Sequence, residues 1–345
     1  VAVDYTWSIY KIFLLAQEFL LYVYLISTVK RKDDVVFIMT VIMVGLFLEG
    51  MVMIGLVGIG RSIETGVMTA RIDPGPRVGG TIGGPNTASS YLGLVLAPTI
   101  SMLLIPVQNK VKFLAMGAAG LGAVGMIVTL SRGGWIAMIV SVGLLFALMW
   151  YRGWMSLAIP IAIGFVGLVI AIGFSEMLIE RLTGDDNGSA DARMPLMMIA
   201  FRIISAYPIL GIGSNNFATV MMDYAYSDST IIWLYIVHNK YLLEWAEVGT
   251  LGFIGFIWFL WATLYSGIRA WMQANRFYSP LALGLAAGIT GHMIHMNFDV
   301  FQGRPLVQML WTSAALIVIM RRLAQKEMME THDQPMNMKL STGKV

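Results

Sequence analysis

The sequence holds 345 residues, of which 57% are hydrophobic and only 12% are charged, and its net charge is +3. Soluble domains carry about 25% charged residues, so this composition excludes an ordinary soluble domain. The sequence has no cysteine, which excludes disulfide bonds and thiolate metal sites. It has no run of basic residues with interleaved aromatics, so we expect no nucleic-acid partner.

Long apolar blocks, rather than one-faced stripes, dominate the hydrophobic pattern. A block of about 18 or more such residues predicts a transmembrane helix. We therefore predict an all-α polytopic membrane protein that lies in a lipid bilayer. About nine transmembrane spans are predicted, in chain order 7–29, 35–60, 86–107, 111–130, 135–150, 154–174, 243–267, 280–298 and 305–320.

The connectors between these spans have a charge bias that predicts their orientation. If the spans alternate, one side receives Lys30-Arg31-Lys32, Lys110 with Lys112, Arg152, Arg269 with Arg276, and Arg321-Arg322. The positive-inside rule makes that side cytoplasmic. Val1 then lies outside, whereas bacterial polytopic proteins often start inside. Because the chain also starts without Met, we expect that the protein has residues before Val1.

Four regions follow from this arrangement. They are transmembrane helices 1–6 with an external Gly/Pro-rich loop at 61–85 (1–174), an external catalytic insertion (175–240), transmembrane helices 7–9 (241–324) and a cytoplasmic tail expected to be disordered (325–345). An insertion of this length between spans is more often functional than a passive connector. Within it, Asp191 is predicted to cap a short helix that ends at Ala206.

Arginines on the predicted outer side run against the positive-inside bias, and an anionic ligand is the simplest reason for them. They are Arg61, Arg71, Arg77, Arg132, Arg181, Arg193, Arg202 and Arg304. Arg132 precedes two glycines that permit a tight turn and close approach by a ligand. Its guanidinium can bind phosphate oxygens in a fork, or it can anchor the helix at the membrane interface. Arg193 and Arg202 lie nine residues apart and face opposite ways on a helix, so only one is expected to reach a given ligand.

His238 opens a polar cluster at the outer end of a predicted span, in the stretch HNKYLLEWAE. A histidine can accept a proton at neutral pH, which makes it a candidate base. The alternative is an interfacial histidine that hydrogen-bonds to a loop. Glu244 and Glu247 are three residues apart and face one side of the helix. A carboxylate at this depth should face the protein interior and have a partner, such as an arginine or the imidazole itself.

Three other polar features have a structural interpretation beside the functional one. Glu49, in the middle of the second span, fits a protonated or paired structural role as well as a functional one. His292 and His295 have a spacing that can hold a metal or a haem, but no carboxylate or cysteine completes the set, and we expect no cofactor. The pair Asp185-Asp186 can bind a divalent ion, although TGDDNGS is more typical of a solvated turn.

Four segments together resemble the O-antigen ligase and polymerase family of bacterial membrane glycosyltransferases. They are GGTIGGPNTAS (79–89), SRGGWIAMIV (131–140), ARMPLMMIAFRIISAYPILGIGSNNF (192–217) and HNKYLLEWAEVGTLGFIGF (238–256). Their order, their spacing and their place on one predicted membrane face carry the likeness, which covers most of the chain from about residue 79.

The resemblance implies a GT-C-like enzyme of the bacterial inner membrane with its active site on the periplasmic side. Such enzymes move a glycan from a polyprenyl-diphosphate carrier to a hydroxyl group of a glycan, lipid or protein acceptor. They need neither a metal nor a nucleotide sugar. An in-line attack by the acceptor hydroxyl would invert the anomeric carbon. The acceptor itself is not readable from these motifs.

The resemblance also assigns roles to individual residues. Arg132 and Arg193 bind the donor diphosphate, and His238 is the base that activates the acceptor. The chemistry agrees, because a leaving diphosphate needs charge stabilisation and an attacking hydroxyl must lose a proton. The remaining assigned residues are Asn86 and Asn239, for substrate binding, and Glu247, a catalytic residue that orients the imidazole or holds an acceptor group.

Two other classes of protein remain open. A transporter for a small anion, such as bicarbonate or a carboxylate, predicts inverted repeats and broken helices near the middle of the membrane. The sequence shows neither, and its ionisable residues gather at the outer face. A structural or cofactor-holding subunit of a larger membrane complex is supported only by the pair His292 and His295.

Overall fold

The computed structural model describes residues 3–66, 68–73, 77–184, 193–225 and 236–341. Of the residues that the structure describes, 77% are helical and almost none are in a sheet, which confirms the predicted all-α class. The described helices are α1 (Tyr5–Thr28), α2 (Lys32–Ile59), α3 (Pro85–Leu104), α4 (Asn109–Val128), α5 (Arg132–Tyr151), α6 (Ala158–Gly173), α7 (Ser175–Thr183), α8 (Arg193–Ala206), α9 (Phe217–Val220), α10 (Lys240–Met272), α11 (Tyr278–His295) and α12 (Arg304–Ser341).

Within the described ranges, seven helices are long and apolar enough to cross a membrane: α1, α2, α3, α4, α5, α10 and α12. The pair α6 and α7 is bent by 80° and adds an eighth if it counts as one span. The eighth predicted span, 280–298, corresponds to α11, which packs against α3, α5, α10 and α12 and is buried along most of its length. The count differs from the prediction because protein rather than lipid surrounds α11, so this helix is not required to be uniformly apolar.

Small residues let α11 approach its neighbours closely. A Cβ atom added at Gly288 would lie 2.6 Å from the carbonyl oxygen of Leu94 in α3. One added at Gly291 would lie 2.6 Å from the carbonyl oxygen of Ala137 in α5. Such close approach is common between membrane helices, where van der Waals packing drives association. It brings the start of α3, the start of α5 and the end of α11 together on one membrane face, called the cavity face below.

A small antiparallel sheet lies on the cavity face, between α2 and α3. Its strands pair in the order β1 (Ile63–Glu64), β2 (Thr69–Asp73), β3 (Arg77–Gly80). Glu49 of α2 accepts hydrogen bonds from the backbone N–H of Thr81 at 2.9 Å and from its hydroxyl at 2.5 Å. These contacts fit the paired structural role considered for Glu49, since they tie the loop after β3 to the membrane helices.

The long helix α10 is interrupted at Gly249, whose φ of 65° and ψ of −176° are not helical. Backbone from 208–213 fills the interruption, and the N–H of Gly213 donates to the carbonyl of Glu247 at 2.8 Å. A Cβ atom at Gly249 would lie 2.2 Å from the carbonyl oxygen of Ile209. The sequence analysis predicted no broken helix, and the interruption at Gly249 corrects that expectation. The break lies in the third turn of α10, near the cavity face, and backbone occupies it, unlike the mid-membrane break that a transporter would need.

The polar insertion is partly helical, as predicted. It contains α7, α8, α9 and a 3-10 turn at Met221–Tyr224. The short helix expected to end at Ala206 is present as α8. The residues Asp185, Asp186 and Asp191, for which a turn and a helix cap are predicted, lie outside the described residues.

The tail that was expected to be disordered from residue 325 is helical as far as Ser341, because α12 continues through it. Residues 325–330 are Gln, Lys, Glu and Met, which are good helix formers. Lys326 and Glu330 form an ion pair one turn apart, with 3.7 Å between nitrogen and oxygen. Local helix propensity therefore extends the last span beyond its apolar part.

Candidate active site

A cavity of about 350 Å³ lies on the cavity face, where α3, α5 and α11 meet. Four arginines line it: Arg77, Arg132, Arg181 and Arg193. Each guanidinium stays charged and offers several N–H donors in a fixed plane. A cavity with this lining is suited to an anion with several oxygens. The other lining residues are Asn86, Ser131, Gly133, Ile136, His295 and Phe298.

The turn between α4 and α5 places Arg132 at the cavity. Ser131 caps α5, because its hydroxyl accepts a hydrogen bond from the N–H of Gly134 at 3.3 Å, and Arg132 is the first helical residue. Leu130 adopts a φ of 51°, and its carbonyl accepts a hydrogen bond from Nε of Arg181 at 2.9 Å. This bond fixes α7 against the turn, so arginines from two elements reach the same cavity.

Of the two arginines predicted on opposite faces of α8, Arg193 is the one at the cavity. Its Nε is buried and has no hydrogen-bond partner within the described part of the chain. Arg202 turns away, and its Nη1 donates to the carbonyl of Tyr224 at 2.9 Å. Buried donors normally have an acceptor, so the Nε of Arg193 is available to a ligand in the cavity.

Arg77 contributes a second buried donor to the cavity. Burial lowers the pKa of its guanidinium, and repulsion from Arg181 lowers it further. Its Nε is also buried without a hydrogen-bond partner among the described residues. A bound anion would give Nε a hydrogen-bond acceptor, and its opposite charge would favour the charged form of the guanidinium.

Asn86, the second residue of α3, connects the cavity to a second polar group. Its Oδ1 accepts hydrogen bonds from Nη2 of Arg77 at 2.8 Å and from the hydroxyl of Ser131 at 3.0 Å. Its Nδ2 donates to Oδ2 of Asp299 at 2.9 Å. Asn86 lines the cavity, but both ends of its amide already form hydrogen bonds with protein groups. Asn86 therefore links the cavity arginine to Asp299.

Asp299 lies beside His238. Oδ1 of the carboxylate is 3.3 Å from Nδ1 of the imidazole. Burial raises the pKa of Asp299, but hydrogen bonds from His238 and Asn86 outweigh it and hold the pKa below its usual value. Asp299 is therefore ionised and can only accept, so Nδ1 carries a hydrogen and leaves Nε2 as the basic nitrogen of the neutral ring. An imidazole held in this way has the arrangement of a general base.

Glu247 is placed differently from its predicted role beside the imidazole. Its side chain is buried, and its oxygens accept hydrogen bonds from the backbone N–H groups of Asn215 at 2.7 Å and Phe217 at 3.2 Å. Of the two roles considered for Glu247, orienting the imidazole does not fit these contacts, because Asp299 lies there instead. The carboxylate holds the segment after α8 against α10.

Asn239 and Glu244 have contacts that stabilise the start of α10. Asn239 is its N-cap, and its Oδ1 accepts a hydrogen bond from the N–H of Leu242 at 3.0 Å. Glu244 forms a short ion pair with Lys240, which is the partner that a buried carboxylate requires. The N-cap ends the loop directly after His238, so helix α10 sets where the imidazole stands.

The pair His292 and His295 is buried at the end of α11. In the part of the chain that the structure describes, no group of three or more His, Cys, Asp or Glu residues could hold an ion. Nδ1 of His292 lies 2.7 Å from the hydroxyl of Ser90. The ring of His295 packs against that of Phe301, with centroids 4.6 Å apart. Both side chains therefore take part in helix packing, and His295 also lines the cavity.

Fold and site together define a multi-pass membrane protein with a basic cavity that hydrogen bonds connect to a histidine–aspartate pair. Residues 117–257 match the family model described as O-antigen ligase, and this range includes Arg132, Arg181, Arg193 and His238. This match supports the O-antigen ligase family and agrees with the resemblance of the motifs. No curated protein matches the chain. The family supports glycan transfer of the O-antigen ligase type in general.

Sequence reasoning does not single out Arg77, Arg181 or Asp299 as site residues. The two arginines are among those that run against the charge bias, so their position on the outer side was a usable signal. Asp299 follows the pair of histidines in GHMIHMNFD and has no motif of its own. Its bond to Asn86 joins positions 213 residues apart, and no local pattern reports such a contact.

Proposed function

We propose that the protein transfers a glycan from a polyprenyl-diphosphate carrier to a hydroxyl group of an acceptor, with inversion at the anomeric carbon. The observation that carries this proposal is the connection from the four-arginine cavity, through Asn86, to the pair of Asp299 and His238. The cavity suits an anionic leaving group and the imidazole suits a proton acceptor. Transfer from a diphosphate to a hydroxyl needs both.

On the donor side, Arg132 and Arg193 clamp the diphosphate. They begin α5 and α8, respectively, so their guanidinium forks approach from different elements. Arg77 and Arg181 line the same cavity and add positive charge. These groups are in place before the reaction, and they stabilise the negative charge that grows on the diphosphate as it leaves.

On the acceptor side, Nε2 of His238 takes the proton of the hydroxyl group as the hydroxyl oxygen attacks the anomeric carbon. The bond between that carbon and the diphosphate oxygen breaks, and its electron pair leaves with the diphosphate. In-line attack inverts the anomeric carbon. The imidazolium that forms lies beside the Asp299 carboxylate, 3.3 Å away between the nearest atoms, which stabilises the new positive charge.

Three residues act on the geometry of the site. Asn86 holds Asp299 with one end of its amide and Arg77 with the other. Asn239 caps α10 directly after His238, and Glu247 fixes the backbone that follows α8. Their substitution is therefore expected to alter turnover through the position of the base and the arginines.

The site faces the periplasm in a bacterial inner membrane. Arg132 and His238 lie at or just before the starts of α5 and α10, whereas Arg152 and Arg269 lie at the far ends of these helices. The positive-inside rule places the far ends in the cytoplasm. The carrier lipid then presents its diphosphate at the cavity face, and the acceptor is a hydroxyl of a glycan, lipid or protein.

Substitution of His238 tests the assignment of the base. In His238→Gln the side chain can still donate a hydrogen bond to Asp299 but cannot take up the acceptor's proton, whereas His238→Ala loses both capacities. We expect both variants to reduce transfer at least about 100-fold, with folding and donor binding unchanged. Transfer by purified protein is measured together with binding of the polyprenyl-diphosphate donor. Undiminished transfer by either folded variant would show that His238 is not the base.

A further inference from the structure

A second cluster of arginines lies on the membrane face opposite the cavity. It comprises Arg152 and Trp154, which follow α5, Trp271 in the last turn of α10, and Arg276 in the next connector. The guanidinium carbon of Arg152 is 4.3 Å from the ring centre of Trp271 and 5.2 Å from that of Trp154. The guanidinium carbon of Arg276 is 4.8 Å from the ring centre of Trp154. Two cations thus stack on one tryptophan.

Three polar atoms, two in this cluster and one beside it at the C-cap of α10, are buried without a hydrogen-bond partner among the described residues. They are Nη1 of Arg152, Nε1 of Trp271 and Oε1 of Gln273. The other terminal nitrogen of Arg152 donates to the carbonyl of Met272 at 3.3 Å, so the guanidinium is anchored to the end of α10. Buried donors normally have an acceptor. Two such donors side by side indicate that an external acceptor belongs here.

The charge of the cluster also indicates an external acceptor. Within the described ranges, neither Arg152 nor Arg276 forms a salt bridge with a carboxylate, and the two guanidinium groups share the ring of Trp154. Two like charges held near one ring repel each other, and an anion between them would remove that repulsion. A phosphate group offers the negative charge and the oxygen acceptors together.

The position of the cluster suits the headgroup layer of a membrane. α5 runs 20 residues from the cavity to Tyr151, which is about 30 Å at 1.5 Å per residue and close to the thickness of a bilayer core. Trp150 and Tyr151 are 52% and 78% exposed beside the arginines, and Met272 is 55% exposed. Apolar side chains that face lipid next to buried donors are arranged for a molecule with both acyl chains and a phosphate.

We infer that this cluster is a binding site for the headgroup of an anionic phospholipid. Its phosphate accepts hydrogen bonds from Arg152 and Trp271 and lies between the two guanidinium groups, while its acyl chains run along α5. The free acceptor of Gln273 fits a hydroxyl of the headgroup, so phosphatidylglycerol is the suitable probe. Basic pockets between transmembrane helices are known to hold such headgroups. The site is about a bilayer away from the cavity and does not depend on the proposed function.

The test is a lipid titration of the purified full chain in detergent. Phosphatidylglycerol, phosphatidylcholine and inorganic phosphate are added separately, and thermal unfolding and native mass spectrometry report binding. We expect phosphatidylglycerol to raise the unfolding temperature, and the other two to leave it unchanged. Arg152→Gln and Arg276→Gln should each weaken phosphatidylglycerol binding about five- to tenfold. Trp271→Phe keeps an aromatic ring at this position but removes the Nε1–H donor, and it should weaken binding less than the two arginine substitutions.

Arg269→Gln is the matched control, because Arg269 is an exposed arginine near the same end of α10 and lies outside the cluster. It should bind phosphatidylglycerol like the parent. Equal binding by the parent and both cluster variants would overturn the proposal, as would an equal loss in Arg269→Gln, which would indicate general charge attraction. A shift of the same size with inorganic phosphate would also overturn it, since the ligand would then be a free anion and not a lipid.

Discussion

Substitution of Asp299 by Asn tests how much the carboxylate beside His238 contributes to transfer. The change keeps the size and planar shape of the side chain but removes its charge. It also brings an NH₂ group to a position where the carboxylate accepts hydrogen bonds from His238, Asn86 and the backbone of Val300. At least one of these donors therefore loses its acceptor.

The size of the effect follows from the distance between the two side chains. Nδ1 of His238 and Oδ1 of Asp299 are 3.3 Å apart, and opposite unit charges at that distance attract by about 5 kcal/mol at an effective dielectric constant of roughly 20. The two side chains are 33% and 16% exposed, so we discount this for solvent screening to about 3 kcal/mol. Each 1.4 kcal/mol of barrier is about tenfold in rate, so we expect kcat to fall roughly 100-fold.

The assay is the initial rate of transfer at saturating donor for the parent, Asp299→Asn and the control Asp223→Asn. Asp223 is an exposed carboxylate in the 3-10 turn of the insertion and should be replaceable without effect. KM for the donor should stay the same, because the arginine cavity keeps its charge. A fall in kcat of less than about threefold, against the 100-fold worked from the Coulomb estimate, would refute the reasoning. A rise in KM alone would mean that Asp299 acts on the cavity through Asn86.

Three further predictions concern the arginine clamp, the broken helix and the topology. Arg132→Ala and Arg193→Ala should each nearly eliminate transfer and weaken donor binding. Arg132→Lys should keep only a small part of the activity, because lysine lacks the planar fork of donors. Donor binding like that of the parent in both alanine variants would contradict the clamp. Gly249→Ala should lower the free energy of unfolding by more than about 2 kcal/mol, because its Cβ would lie 2.2 Å from a backbone oxygen. Gly255→Ala, whose Cβ would meet open space, should leave the melting temperature unchanged or raise it, and equal melting of both variants would argue against strain at the break. A cysteine introduced at Thr183 should react with an impermeant maleimide from the periplasmic side, and labelling only from the cytoplasmic side would reverse the proposed orientation.

Much of the fold could be predicted from the sequence because its signals are local. The apolar blocks 7–29 and 111–130 correspond to α1 and α4 within a few residues, since each block must bury its own backbone hydrogen bonds inside a bilayer. The polar insertion and its helix α8 were predicted from turn residues and spacing in the same way. The prediction of a disordered tail was wrong. The polarity of the tail indicated disorder, but the helix propensity of 325–330 extends α12.

Part of the candidate site could also be read from residue chemistry alone. Arg132 was selected because charge at an outer membrane edge calls for an anion, whereas residue chemistry left Arg193 and Arg202 open and only the family resemblance assigned Arg193; both Arg132 and Arg193 line the cavity. His238 was selected as a proton acceptor within a polar cluster. These choices use properties that each side chain keeps in any fold, namely charge and the capacity to accept a proton.

Only the tertiary structure decided which residues meet. It placed Asp299 rather than Glu247 beside His238, and it added Arg77 and Arg181 to the cavity. It also decided that protein surrounds α11. The sequence by itself determined the helices and the chemistry of their ends. Which ends come together depends on close packing between helices far apart in the chain, and periodicity within one helix carries no information about its neighbours.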